Sequence, residues 1–156
     1  MSSSAGPLAR LTELGIELPP VATPAGAYLP ARRSGSLVFT AGQLPLVGGA
    51  LPVTGKVGAA VDPDTAADLA RTCALNALAA VHALVDLDSV TGVIKVVGFV
   101  ASAPGFTGQP KVINGASDLL AEVFGEAGRH ARSAVGVAEL PLDAPVEIEL
   151  VVEVGP

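Results

Sequence analysis

Asp62-Pro-Asp-Thr-Ala-Ala-Asp-Leu-Ala-Arg71-Thr-Cys-Ala-Leu-Asn76-Ala-Leu-Ala-Ala-Val-His82-Ala-Leu-Val85 is the stretch on which the fold turns. Asp62-Pro-Asp64-Thr65 supplies N-cap candidates and early-turn acids, and apolar residues then continue to Val85 for about six turns. The polar residues Asp68, Arg71, Thr72, Asn76, His82 and Asp86 follow a helical period, leaving a broad Leu/Ala/Val face to lie on a sheet. Just beyond it, Gly92-Val-Ile-Lys-Val-Val-Gly-Phe-Val-Ala-Ser102 is almost continuously apolar, as expected of a strand covered on both sides. One cover is the helix. The other is a neighbouring subunit.

Working outward, Ser36–Gly42 reads as a strand with Leu37, Phe39 and Ala41 on one face, and Gly48–Gly55 as a turn or hairpin arm. Lys111–Phe124 is a second helix stopped by Gly125. Ala131–Glu139 is a further strand, followed by a Leu140-Pro141 turn. Val146–Val154 alternates cleanly, with Glu147, Glu149 and Glu153 on one face. The order of strands, long helix, strand, helix and two strands describes an α+β layer fold, one mixed sheet with two helices on one face. Upstream, Pro7–Leu14 is a short helix and Leu18–Gly26 a proline-rich connector. Residues 1–26 are therefore taken as an N-terminal extension and 27–156 as the domain.

Composition removes several function classes. The 156 residues are 50% hydrophobic and 15% charged, too apolar for a disordered chain and too sparsely charged to cover a monomer's surface, so a homo-oligomer is expected. Nine basic against fifteen acidic residues give a net charge of −6, and with four Phe, one Tyr and no Trp a nucleic-acid partner is not expected. The most apolar stretch, Ala66–Leu87, is interrupted by Asp68, Arg71 and His82, which argues against a membrane span, and Met1–Arg10 lacks the pattern of an export signal. Cys73 is the single cysteine, consistent with a reducing cytoplasmic setting. Neither a Walker-type loop, a GxGxxG turn nor a GxSxG elbow is present, and His82 and His130 share no metal spacing, so no metal is expected.

What remains is His130-Ala-Arg132-Ser-Ala134-Val-Gly-Val-Ala-Glu-Leu140-Pro141 and Val146-Glu147-Ile-Glu149. These segments resemble the signature of the YjgF/RidA family, in which a Pro-Ala-Arg-Ser strand start, a Leu-Pro turn and a final Glu-x-Glu strand recur. Gly26-Ala-Tyr28, Leu37-Val-Phe-Thr40-Ala-Gly42-Gln43, Asn76 and Val112-Ile-Asn114 match in the same order, and the resemblance spans roughly residues 26 to 154. It implies a chorismate-mutase-like α+β fold assembled into homotrimers, sheets inward, with three clefts between subunits. The activity it implies is hydrolysis of reactive enamines and imines, such as 2-aminoacrylate and 2-iminopropanoate, to 2-keto acids and ammonia without a metal or organic cofactor.

On that resemblance Arg132 is the clamp for a substrate carboxylate, a role suited to a permanently charged planar guanidinium. Its alternative is a salt bridge with an acidic residue such as Glu147. Glu147 is the water anchor or general base, and its distinction from Glu149, on the same strand face, rests on the resemblance alone. Tyr28 walls the cleft, Thr40 to Gly42 offer backbone groups, and Asn114 braces the site or merely caps a helix. In a trimer Arg132 of one chain meets Tyr28 or Phe106 of its neighbour. Two positions depart from the family pattern. Ala134 replaces a frequent cysteine, excluding thiol chemistry there while preserving a backbone contact, and His130 replaces proline, its side chain either lying beside the cleft, where it could titrate near neutral pH, or facing solvent, the reading favoured from sequence. A non-catalytic module that binds small carboxylates is the alternative function. An RNA-cleaving role fits poorly with the charge.

Overall fold

The computed structural model describes residues 6–156. Eight principal elements follow one another: α1 (Pro7–Glu13), β1 (Ala31–Ser34), β2 (Leu37–Thr40), α2 (Pro63–Leu84), β3 (Val90–Ala101), α3 (Gln109–Phe124), β4 (Ala131–Val137) and β5 (Val146–Val154). The strands form one mixed sheet in the order β1-β2-β5-β3-β4, in which only β3 and β4 run parallel. That parallel pair needs a crossover, and α3 supplies it. Among the described residues no helix is long and apolar enough to cross a membrane.

Helix α2 begins where its sequence signals it. The Asp62 carboxylate accepts from the Thr65 amide and hydroxyl, and these bonds hold its carboxyl below the usual range. Its apolar face and that of α3 pack on Val38, Val96, Val100, Ile148, Leu150 and Val152. Two glycines let α3 lie close. A Cβ at Gly98 would stand 2.5 Å from the Ile113 side chain, and one at Gly115 would run into the Ala67 carbonyl of α2. These two contacts seat α3 closely on β3 and against α2.

The opposite sheet face carries no helix. There Phe39, Val97, Phe99, Val151 and the three strand glutamates alternate with the helix-facing residues, and Phe39 and Val135 are largely exposed. In β2 it is Val38 and Thr40 that point to the core, and Leu37 and Phe39 that point away. The short edge strand β1 contains Arg32 and Arg33, whose polarity hid it from a hydrophobic-pattern reading. Residues 48–55 form a loop with one isolated bridge, Val47 to Ala50, rather than a hairpin arm. Helix α1 docks on the domain: Leu11 is buried in the core, Asp88 accepts from the Leu8 amide, and the Arg10 side chain donates to the Glu122 carbonyl.

Candidate functional site

The edge strand β4 and the central strand β5 carry the two predicted reactive side chains, and both pair with β3. Arg132 lies opposite Val96, which also faces Leu150, so Arg132 shares the helix-covered face. Glu147 lies opposite Phe99, on the bare face. Paired residues in a sheet project to the same side, so within one chain these two side chains point to opposite sides. The salt bridge between them does not form. Among the described residues, none of the five ion pairs includes Arg132.

Around Arg132 the chain builds a polar cradle. Its Nη1 donates to Asn114 Oδ1 at 2.7 Å and to Ser117 Oγ at 3.2 Å, both from α3. Both acceptors are neutral, so the guanidinium keeps its charge uncompensated, and Nη2 and Nε bond to no acceptor among the described residues. Asn114 therefore braces the arginine rather than capping α3, whose N-cap is Gly108. His130 does not face open solvent: its Nε2 lies 2.9 Å from Ser117 Oγ and its Nδ1 2.6 Å from the Gly128 carbonyl. Ser117 was not singled out by the sequence, since a lone serine on a helix carries no pattern. Ala134, two residues along β4 and therefore on the same face, packs against the core edge.

Around Glu147 the geometry is different. Gly42 lies so close that a Cβ there would come within 2.6 Å of Glu147 Oε1. Gly42 is held by its neighbours, since the Ala41 amide donates to the Pro30 carbonyl and Gln43 exchanges both backbone bonds with Ile148. Half-burial pushes the Glu147 carboxyl up from its ordinary value, and the charge of Glu149 adds to the shift. A carboxyl shifted this way takes up a proton more readily than a solvated glutamate.

The other predicted residues stand apart. The Thr40 side chain turns into the core, where its hydroxyl accepts from the Leu150 amide, so only its backbone could serve a ligand. Tyr28 is 51% exposed and accepts from the Ala25 amide within its own loop. Phe106 packs on Gly58 and Gly108 near the start of α3. Asn76, read as part of the polar stripe of α2, is only 4% exposed, and its amide donates to the Leu44 and Leu46 carbonyls, tying down the loop that follows Gln43. Cys73 is fully buried, and that burial raises its thiol well above the ordinary value.

A cavity of about 670 Å³ between the proline-rich segment, the 46–49 loop and α2 is lined in part by Asn76 and by none of the residues predicted to catalyse or bind substrate. Groups that project from opposite faces of one sheet cannot line a single intrachain cavity, so its position says nothing against them. Among the described residues there is no cluster of His, Cys, Asp and Glu able to hold a metal ion.

Comparison with known proteins places these features in context. A family model described as "YjgF/chorismate_mutase-like, putative endoribonuclease" matches residues 8–154, a range that begins within α1. Protein TCP17 of Trypanosoma cruzi is 48% identical over 151 residues, covering 94% of this chain and 93% of its own. The crystal structure of Atu1372 from Agrobacterium tumefaciens, a protein of unknown function, is 50% identical, covers 94% of this chain and 90% of its own, and superposes with a TM-score of 0.85. Escherichia coli TdcF with bound serine is 28% identical, with coverages of 88% and 94% and a TM-score of 0.64.

Proposed function

The chain belongs to the YjgF/chorismate-mutase-like family, and on that premise we propose that it hydrolyses small 2-imino or 2-enamino carboxylates to 2-keto acids and ammonia. The sites are clefts between copies of a homotrimer. Members of this family are often oligomeric, and the bare apolar sheet face with its exposed Phe39 is a surface of the kind that a second copy covers.

In this reading Arg132 of one copy grips the carboxylate and Glu147 of the next holds the attacking water. Water adds its oxygen to the imine carbon while Glu147 takes a proton. That proton passes to nitrogen to give a carbinolamine; its hydroxyl proton then moves through Glu147 to the amine as the carbon–oxygen double bond forms, the carbon–nitrogen bond breaks, and ammonia leaves a 2-keto acid. Atoms balance as imino acid plus water giving keto acid plus ammonia, with no redox partner. Fixing the carboxylate orients the imine carbon, and a carboxyl raised by burial is a stronger base than a solvated one.

The observation that carries this reading is the uncompensated Arg132 guanidinium, held by Asn114 and Ser117 with its remaining donors open. The serine bound to TdcF, a small amino carboxylate, is a ligand of the same chemical kind. It equally suits a second reading, a trimer that binds small carboxylates without turning them over. Imines generated in situ by an amino-acid oxidase distinguish the two. Faster imine decay with wild-type protein, lost in Arg132→Ala, supports the deaminase. Thermal stabilisation by 2-keto acids without any turnover selects the binding module.

A further inference from the structure

We propose that His130 and Ser117 form a relay of fixed polarity that positions the Arg132 guanidinium and reserves its Nε/Nη2 edge for a ligand carboxylate; the ligand part rests on the reading of Arg132 as the clamp. The chemistry of each atom sets the direction of each bond. The Gly128 carbonyl only accepts, so His130 Nδ1 at 2.6 Å carries a proton. In its neutral form the imidazole then presents a lone pair at Nε2, and the Ser117 hydroxyl 2.9 Å away donates into it. With its proton so directed, Ser117 Oγ turns a lone pair to Arg132 Nη1, which only donates. The second Nη1 proton goes to Asn114 Oδ1.

All bonds therefore run one way, from Arg132 through Ser117 and His130 to the Gly128 carbonyl. Both Nη1 protons are engaged, and the guanidinium is held in its own plane. Nε and Nη2 lie on the other edge, where two parallel N–H groups match the two oxygens of a carboxylate. The relay thus predicts side-on, bidentate recognition and makes His130 and Ser117 positioning residues that do not touch the ligand. The other histidine supplies an internal control: His82 Nδ1 accepts from the Leu87 amide, so its proton sits on Nε2. The two imidazoles of the chain should be opposite tautomers.

Imidazole nitrogen NMR on the full chain reads this directly. The expected result is an Nδ1–H tautomer for His130 and an Nε2–H tautomer for His82, with Ser117→Ala shifting the His130 signals and leaving those of His82 in place. Kinetics on the imino acids should show KM raised about tenfold in Ser117→Ala and in His130→Ala, with kcat within about twofold, since one charge-assisted hydrogen bond is lost and no reacting group is touched. Ser117→Thr, which keeps the hydroxyl, should restore KM. An Nε2–H tautomer at His130, or an unchanged KM in both alanine variants, overturns the relay. Absence of imine turnover in the wild-type protein defeats the deaminase reading alone. In that case the tautomer pair and the pyruvate affinity of Ser117→Ala against wild type decide the relay, which falls if His130 is Nε2–H or if pyruvate binding by the wild type is equalled by the variant.

Discussion

The two half-sites on either side of the sheet are built on opposite plans. On the helix-covered face Arg132 is a charge held along one edge by two neutral acceptors of α3, one of which, Ser117, is itself bonded to His130 in the turn before β4. On the bare face Glu147 is a charge pressed against the backbone at Gly42 and beside another carboxylate, with its proton affinity raised in consequence. The first is preorganised within one chain and is ready to bind. The second is a half-buried carboxyl beside a like charge. A clamp must be rigid before its ligand arrives, whereas a base is made stronger by incomplete solvation, so the two plans suit the two roles proposed above.

Removing either end should expose that asymmetry. Arg132→Ala is expected to lower kcat/KM for imino acids by at least about a hundredfold, because a carboxylate left without its partner in a partly desolvated cleft costs several kcal/mol. Glu147→Gln should lower kcat by about a hundredfold, the lower range for a lost general base, with KM nearly unchanged. Steady-state kinetics on both variants tests the division; a Glu147→Gln effect confined to KM would contradict it.

The raised Glu147 carboxyl also makes a prediction about pH. For catalysis, kcat should fall as pH drops through its raised value, because the base becomes protonated, and the profile should flatten in Glu147→Gln. For stability the sign is opposite. A folded-state value above the unfolded one means that folding favours the protonated form, so wild-type stability declines as pH rises from the ordinary glutamate range through the raised value and stays lower above it. Glu147→Gln removes that decline. Its melting temperature at neutral pH should equal or exceed that of the wild type, while at acid pH the two converge.

A smaller effect separates scaffold from chemistry on the clamp side. Gly115→Ala would force its new methyl against the Ala67 carbonyl, a backbone atom that cannot rotate away. The helices must part, at a cost of roughly 1–3 kcal/mol. Because Asn114 and Ser117 flank that contact on α3, KM should rise alongside the loss of stability, whereas Glu147-dependent behaviour should persist. Denaturant unfolding paired with kinetics reads both.

Much of this architecture is legible in the amino-acid sequence alone. The capped, apolar α2 and the alternating β5 follow from local chemistry, and α3 ends at Gly125 as its pattern predicts. Asn76 misled because helical period alone cannot tell a solvent stripe from a position covered by a distant loop. His130 misled because its partners, Ser117 and Gly128, come together only when α3 packs over the start of β4. Most consequential was the face on which Arg132 lies relative to Glu147. That depends on the registers of β4 and β5 against β3, which are tertiary facts, and a shift of one residue would reverse it.

The central claim, that one copy supplies the clamp and its neighbour the base, is tested most directly by mixing two inactive variants. Arg132→Ala and Glu147→Gln proteins, each nearly inactive alone, should regain activity when unfolded together and refolded into mixed trimers. Random assembly gives both intact groups to about one quarter of the clefts in a cyclic oligomer, so the mixture should reach about a quarter of wild-type kcat per site. Mixed trimers that form, as shown by mass spectrometry, yet remain as inactive as either parent would contradict the shared site.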